Sequence, residues 1–511
     1  MNRLHTLTTS TALALVLPAS AAWADLTAAD VWDDWKSYME GTGYAVTASE
    51  ARAGDTLTVS DVAMTMDLSD DTGAGSTVVQ MAEIVFTTKG DGTVGITLPE
   101  DTEIGVVFDG LADDDDVEFT LSYTQTDPVM TASGDVGAIT YDYAAPQIAI
   151  DLDGVETSGV ILTDEIARLS IVASDVAYVM SNTVGEVRAV DQTMSASGLT
   201  YDVFFEDPEG EGTFKLTGNM EGLSFDGEGD LPLDMDAQDF NAMLSDGFDF
   251  DGTFGATGGG YDMTFNGPDG GGTVNSASDG GTLRVAMGPD GLSYGVSQTG
   301  VNLNMLLTEL PLPISVSAAE ISTNLLVPLQ KSEEEQDFGM AIGFSDLTMS
   351  DALWGLFDAA GQLPRDPATL MVDLSGKAKV LFDFLDPAQA AVLEQSDAVP
   401  GELNALTLNA LELDALGAKL TGAGDFTFDN SDLVTFDGLP RPKGAVDLSL
   451  VGGNGLLDTL VAMGLVPEDQ AMGARMMMGL FAVPGEAEDT LTSKIEVNDE
   501  GHVLANGQRL R

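Results

Sequence analysis

The sequence predicts a mainly β protein with a few short helices, built from long antiparallel meander sheets that are curved or folded back on themselves. Three observations lead to this fold class. Apolar residues recur at every second position between residues 57 and 152, Gly and Asp separate these runs, and helical spacing is confined to short segments. A period of two makes one face of each strand apolar and the other polar. Short Gly/Asp turns between such runs favour antiparallel pairing.

The alternation is clearest in the N-terminal third. Its apolar runs are Met64, Met66 and Leu68; Val94, Ile96 and Leu98; Ile104, Val106 and Phe108; Phe119, Leu121 and Tyr123; Ile139, Tyr141 and Tyr143; and Ile148, Ile150 and Leu152. Shorter alternation follows up to residue 232. Gly- and Asp-rich hairpins, with strands still between them, fill residues 246–300.

The chain is expected to have four parts. Residues 1–24 form a signal peptide, 25–232 an N-terminal helix and β-meander, 233–330 a Gly/Asp-rich hairpin region, and 331–511 a mixed β and helical region that continues the same sheet. Capping residues and the helical spacing of apolar residues predict the helices. They are one after Thr27 with Trp32 and Trp35 on its packing face, one over 236–244, one from Ser350 to near Gly361, and others over 386–393, 456–463 and 469–481.

The N-terminus predicts export. Arg3 begins a short basic stretch, Ala12 to Leu17 are apolar, and Ala22-Trp23-Ala24 fits a cleavage site for a signal peptidase. No run of about 20 apolar residues predicts a membrane-spanning helix. The chain has no cysteine, which excludes disulfides, thiolate metal sites and cysteine nucleophiles. We therefore expect a periplasmic protein, with secretion beyond the cell as the open alternative.

Charge limits the partners. With 84 acidic and 19 basic residues the net charge is −65, which repels nucleic acid. The expected partners are a lipid or another amphiphile and a protein of the cell envelope.

The sequence also resembles a known family over essentially the whole mature chain. The resemblance is carried by Val31-Trp32-Asp33-Asp34-Trp35-Lys36-Ser37-Tyr38, by Gly43-Tyr44, by Gly54-Asp55-Thr56-Leu57-Thr58-Val59-Ser60-Asp61-Val62 and by Gly501-His502-Val503-Leu504-Ala505-Asn506-Gly507. These segments are similar to domain of unknown function 2125, a family of uncharacterised exported proteobacterial proteins. The resemblance implies an envelope protein, distantly reminiscent of large β-rich proteins that carry lipid between membranes, and it transfers no catalytic residue.

No catalytic, cofactor-binding or metal site is predicted. Asp246, Asp249 and Asp251 suggest a calcium loop, but Gly258 stands where the bidentate acid belongs. Gly291-Leu292-Ser293-Tyr294-Gly295 matches a nucleophile elbow, yet the residues after it favour a strand rather than a helix. His502 is the one histidine of the mature chain and lies far along the sequence from Ser293. The four acids from Asp113 to Asp116 are interpreted as a solvated turn.

Two questions of architecture stay open. Gly361–Asp366 and Gly464–Asp469 have similar sequences after apolar segments, which fits either an internal repeat or common helix-stop chemistry. The cluster from Met472 to Phe481 fits an irregular core or an adaptable ligand surface.

The functional hypothesis follows from the amount of one-faced sheet. A few short helices cover only part of it, so the sheet either closes into a core or leaves an apolar trough. We expect a non-catalytic periplasmic protein that binds lipid or another amphiphile in such a trough. The alternative is a structural or interaction protein of the envelope with a closed β core and an acidic docking surface.

Overall fold

The computed structural model describes residues 26–67, 74–112, 115–157, 160–162, 166–207, 210, 212–235, 239–310, 312–386, 389, 393 and 399–511. The predicted signal peptide, the acids Asp113 and Asp114, and nearly all of the helix predicted over 386–393 lie outside these residues.

Strands dominate the described chain, which confirms the predicted fold class. They are β1 (Ala45–Ala53), β2 (Thr56–Asp67), β3 (Ala74–Thr88), β4 (Val94–Thr97), β5 (Asp101–Ala112), β6 (Asp115–Thr126), β7 (Val129–Asp135), β8 (Ala138–Thr157), β9 (Val160–Leu162), β10 (Ala167–Val184), β11 (Val187–Glu206), β12 (Thr213–Pro232), β13 (Asp249–Ala256), β14 (Gly258–Gly267), β15 (Gly270–Ser278), β16 (Gly280–Gly288), β17 (Gly291–Leu307), β18 (Ile314–Val327), β19 (Gln336–Met349), β20 (Ala368–Val380), β21 (Gly401–Ala415), β22 (Ala418–Asp429), β23 (Arg441–Val451), β24 (Val483–Pro484), β25 (Thr490–Val497), β26 (Val503–Ala505) and β27 (Gln508–Arg509).

The described helices are short. They are α1 (Ala28–Gly41), α2 (Phe240–Ser245), α3 (Asp351–Trp354), α4 (Gly453–Ala462) and α5 (Glu468–Phe481). Helix α1 begins where predicted, because Thr27 Oγ1 accepts from Asp30 N and Thr27 N donates to the Asp30 carboxylate in a capping box. The helix predicted from Ser350 to Gly361 is wrong in length: α3 ends at Trp354, and Ser350 makes no side-chain cap.

All 27 strands belong to one antiparallel sheet. Most strands pair with their sequence neighbours. β12 pairs with β13 and β14, and β18 pairs with β19. These pairs join strands on either side of the predicted boundaries at residues 232 and 330, so the sheet is continuous over both positions. β1 pairs with β2 and β27 pairs with β26 at the two ends of the described ladders.

Two groups of six strands share an unusual connection order. In the first unit, β3 to β8, the long strand β3 pairs with β4 through its C-terminal part and with β5 through its N-terminal part. β4 then pairs with β7, β5 with β6, and both rows end on the long strand β8. The second unit, β12 to β17, repeats this order step by step. The chain therefore contains a topological repeat, at a place other than the two Gly segments considered from sequence.

Single residues in the left-handed region kink several long strands. They are Asp61 in β2, Asp175 in β10, Gly222 in β12, Gly300 in β17 and Asp346 in β19, with φ between 50° and 58°. Gly and Asp tolerate this conformation better than most residues. The kinks lie at the same level on neighbouring strands, as the pairing of the residues next to them shows. Ser174 pairs with Gly198 and Gly198 with Glu221, while Thr299 pairs with Glu320 and Glu320 with Ser345.

The kinks change which residues form the apolar face. In β2, Leu57 and Val59 precede the kink, and Val62 and Met64 follow it with the alternation shifted by one residue. All four side chains are buried in one cluster. A kink therefore keeps the apolar side chains on one face of the sheet although the sequence pattern changes phase.

Helix α1 fills the curved first half of the sheet. Trp32 Nε1 donates to Glu50 Oε1 of β1 at 3.0 Å, while Asp34 Oδ1 accepts from Arg188 Nη1 of β11 at 2.8 Å. In a flat sheet these strands, seven interstrand steps apart, would be separated by roughly 34 Å, whereas a helix with its side chains is about 10–12 Å wide. The sheet must therefore curl around α1. The buried cluster formed there takes its members from Leu26 to Val190.

Candidate binding groove

The apolar face of the second unit is open in the described structure. Large apolar side chains on β13, β17, β18 and β19 remain substantially exposed: Phe254 (43%), Tyr294 (39%), Leu325 (36%) and Met340 (39%). Tyr294 lies opposite Leu325, and Leu325 lies opposite Met340, so the last three form one row across the strands. In the first unit, by contrast, Ile84 and Phe86 are fully buried. Exposed apolar patches of this kind mark binding surfaces in soluble proteins.

A groove of about 580 Å³ crosses the strands of this open face. We call it the glycine groove. It spans five strand positions from β11 to β17, which corresponds to about 19 Å. Its lining consists of Met194, Tyr201, Asn219, Met220, Leu223, Ser224, Phe254, Gly255, Ala256, Gly258, Gly259, Gly260, Tyr261, Ser276, Ser278, Gly280, Gly281, Thr282, Leu283, Val296, Ser297 and Gln298. The volume is within the range of small-molecule sites, about 300–1,000 Å³.

Glycine creates the recess. Six of the lining residues are Gly, so part of the floor is bare backbone between apolar walls. Met220 and Leu223 flank the kink at Gly222 and both line the groove, which shows that the kink keeps the wall continuous. A side chain at Gly222 would also meet Thr257, whose hydroxyl donates to Glu221 O across the kink. The groove therefore depends on glycine both for its depth and for its bend.

Two tyrosines close the groove toward the far ends of β11 and β14. Tyr201 lies opposite Gly218, and Gly218 lies opposite Tyr261 on the next strand. The ring of Tyr201 lies over Gly218 and occupies the space where a Cβ would stand. Partial burial raises the pKa of Tyr201, and the neighbouring Tyr261 raises it further. Tyr201 therefore presents a neutral hydroxyl group near neutral pH.

The reverse, polar face of the same strands holds the acids that suggested a calcium loop. Asp251 is paired with the guanidinium of Arg284, which donates from Nε to Oδ1 at 2.9 Å, and this contact lowers the pKa of Asp251. Asp246 is the C-cap of α2, and Asp249 begins β13. Among the described residues, no group of three or more His, Asp or Glu side chains has the spacing to hold a metal ion.

The structure places Ser293 and His502 far apart in the sheet order. Ser293 lies within β17, between the ladder partners Ala286 and Leu326, so the motif around it is a strand, as predicted. His502 precedes β26, eight strand positions further along the sheet, where its backbone N donates to Asn498 Oδ1. The structure does not bring the two residues together as a catalytic pair.

Two further apolar features lie in the C-terminal part. A groove of about 520 Å³ next to α3 is lined by Leu353, Trp354 and Phe357, but Arg365 spans it, bound to Asp351 and stacked over the Trp354 ring. On α5, Met472, Met476 and Met477 are 65%, 72% and 51% exposed, so of the two interpretations of this cluster the structure favours a surface over a core for these three residues.

Sequence reasoning identified the Gly-rich region but missed the groove. The signal was present in the sequence. The apolar alternation changes phase between Met220 and Leu223, and two Gly runs follow at residues 258–260 and 280–281. Only the strand order shows that these segments are neighbours. Among the residues that the structure describes, no helix is long and apolar enough to cross a bilayer.

Comparison with known proteins gives one match. A family model described as an uncharacterized protein conserved in bacteria, DUF2125, matches residues 249–507, just over half of the chain. The matched part includes β13 to β17 of the groove and the closing segment Gly501–Gly507, but not the N-terminal segments that also carry the resemblance. No curated protein and no solved structure matches the chain. On this match, the chain belongs to the DUF2125 family of uncharacterised bacterial proteins.

Proposed function

We propose that this protein binds a lipid or another long-chain amphiphile in the glycine groove and acts without catalysis. The observation that carries the proposal is the groove itself: an open, largely apolar channel with a backbone floor on a face that lacks a covering helix among the described residues. Its lining contains no Asp, Glu, Lys, Arg or His. Such a lining suits the exclusion of water from an alkyl chain better than acid–base chemistry.

The energetics support a chain-like ligand. Each methylene transferred from water to an apolar surface contributes about 0.8 kcal/mol, so ten would contribute about 8 kcal/mol before the cost of immobilisation. The ligand would also shield Phe254 and Met220, which solvent contacts in the free protein. A periplasmic location, proposed from the signal sequence at residues 1–24, would place such a binder between two membranes.

A matched pair of variants tests the groove. Ser276 lines it, and the next residue of β15, Ala277, is exposed and absent from its lining. Trp at position 276 fills the channel, because adjacent strand residues point to opposite faces, whereas Trp at position 277 points away from it. We expect Ser276→Trp to lower the uptake of a fluorescent long-chain lysolipid at least about tenfold, a loss of about 1.4 kcal/mol, with Ala277→Trp close to the unsubstituted protein.

Native occupancy is tested by mass spectrometry. The protein would be isolated from its own periplasm without detergent, and its organic extract compared with that of a control periplasmic protein. Stoichiometric amphiphile in the first extract alone supports the proposal. A clean extract together with no uptake from liposomes contradicts it.

One observation favours a second function, that of an interaction protein of the envelope. Met472, Met476 and Leu480 follow one another at intervals of four along α5 and are all about half or more exposed. Exposed methionines adapt to varied apolar partners. If Ser276→Trp leaves lysolipid uptake unchanged, this surface becomes the better candidate for the function.

A further inference from the structure

The glycine groove has different chemistry at its two ends. Apolar side chains gather at the end formed by β11 to β13: Met194, Met220, Leu223 and Phe254. At the other end, β15 and β17 contribute the hydroxyl and amide groups of Ser276, Ser278 and Gln298, beside Leu283 and Val296. This gradient matches an amphiphile that lies across the strands, with its alkyl chain over β11 to β13 and its polar end near β17.

The electrostatic surroundings of the groove are negative. Its lining is uncharged, and three acidic side chains lie close to it, of which Glu320 is on the reverse face of the sheet. Ser297 Oγ donates to Glu320 Oε1 at 3.0 Å, Asp279 packs against Gly300, and the Glu221 carboxylate is near Gly258. The whole chain adds a net charge of −65. A summed field of this sign lowers the local concentration of anions and raises that of cations.

We propose that the glycine groove selects amphiphiles whose head group carries no net negative charge, bound with the chain over β11 to β13 and the head group at β17. This inference rests on the proposed function and adds the ligand class and its orientation. A zwitterionic or neutral head group finds hydrogen-bonding partners in Ser276, Ser278 and Gln298. An anionic head group meets the negative field of the whole chain, with Asp279 beside Gly300 at this end and no cation among the lining residues.

The test compares two single-chain lysophospholipids with the same acyl chain, one with a phosphocholine and one with a phosphoglycerol head group. Binding to the full-length mature protein would be measured at about 0.01 M and about 0.15 M ionic strength, where the screening lengths are about 30 Å and 8 Å. We expect the anionic lipid to bind at least about fivefold more weakly at low salt, with the difference shrinking at higher salt. Equal binding of both lipids at low salt overturns the inference but leaves the proposed function standing. Binding of neither lipid overturns both.

Two charge-introducing variants test the orientation. Gln298→Lys places a cation at the proposed head-group end and should raise affinity for the phosphoglycerol lipid at least about fivefold. Met194→Lys places it at the proposed chain end and should weaken both lipids. The opposite pattern, with Met194→Lys favouring the anionic lipid, overturns the orientation. Unfolding midpoints of both variants, compared with the unsubstituted protein, show that the fold is retained.

Discussion

The unit β3 to β8 and the unit β12 to β17 connect their strands in the same order, but their apolar faces differ. In the first, α1 places Trp32 and Trp35 against Phe86, with ring centroids 5.9 and 6.2 Å apart, and the sheet curls around the helix. In the second, glycine replaces bulk along the middle of the face, and Phe254 stays 43% exposed.

The difference shows that strand connectivity does not decide whether a sheet becomes a core or a groove. A packed core needs large side chains on each of the two surfaces that meet. The stabilisation from dispersion and from burial of apolar area becomes smaller where side-chain atoms are missing from one surface. The second unit has glycine backbone along its groove, whereas the first has large buried side chains such as Ile84 and Phe86 against α1. A groove is the result, and four predictions test how far this contrast extends.

The largest expected effect comes from separating the buried ion pair that fastens α1 to the sheet. Asp34 accepts from Arg188 at 2.8 Å and from Tyr141 OH at 2.7 Å, and the side chains of Asp34 and Arg188 are 9% and 5% exposed. Asp34→Ala leaves the Arg188 cation buried without its partner, so we expect a loss of about 3–5 kcal/mol in the free energy of urea unfolding. The double variant Asp34→Leu with Arg188→Met should recover much of that loss. A single variant within about 1 kcal/mol of the unsubstituted protein would show that the pair is hydrated.

Truncating one aromatic residue on the covered face and one on the open face measures the contrast directly. Trp32 is 2% exposed and Phe254 is 43% exposed. Trp32→Ala should cost about 3–5 kcal/mol because it opens a cavity in a packed core. Phe254→Ala should cost about 1 kcal/mol or less, since solvent already reaches the ring. Equal losses in urea unfolding would mean that the second face is packed after all.

A kink in β10, between the two units, should also matter for stability. At Asp175, φ is 50° and the carboxylate accepts from Ser197 Oγ at 2.8 Å. Asp175→Val forces a β-branched residue into the left-handed region, so we expect a loss of about 1–2 kcal/mol, while Asp175→Gly should be nearly neutral because Gly adopts this conformation readily. Thermal unfolding of the two variants side by side gives the comparison. Equal destabilisation by Gly and Val would assign the effect to the lost hydrogen bond rather than to the backbone.

The smallest effect is a pH dependence on the covered side. Burial raises the pKa of Tyr178 to about 12, above about 10 in an unfolded chain. Its contribution is complete below about pH 10 and is lost as the pH rises toward 12, because the unfolded chain releases the proton first. The slope stays well below the limit of about 1.4 kcal/mol per pH unit, because solvent screens the partly exposed hydroxyl. Tyr178→Phe should remove that share of the alkaline decline in unfolding free energy. An unchanged decline would indicate that water reaches this hydroxyl in the folded protein.

Much of the fold follows from local patterns in the sequence. Alternation at Ile139, Tyr141 and Tyr143 predicts a strand that the structure contains, and the cap at Thr27 predicts the start of α1. Helix lengths were less predictable. The segment after Ser350 has helical spacing, yet it turns at Gly355, and the Asp358 carboxylate accepts from the backbone N of Gln362 and Leu363 to stabilise a loop.

The candidate groove was less accessible to sequence reasoning. Glycine runs predict hairpins, but they do not say which strands become neighbours. The pairing of Gly259 with both Met220 and Ser278 joins three strands of the groove. Exposure of Met476 on α5 was equally hidden, because a methionine pattern is the same for a core and for a surface.

By itself the sequence determined that this chain forms strands with one apolar face, because side-chain alternation is a property of consecutive residues. It also determined the net charge of −65 and supplied the Gly and Asp residues that permit a kink. Only the tertiary structure decided which part of that face is covered. Asp34 meets Arg188 across 154 residues, and Tyr201 meets Gly218 across a strand boundary, through contacts that no local pattern specifies. Covering one unit and opening the other is therefore a consequence of packing between distant segments.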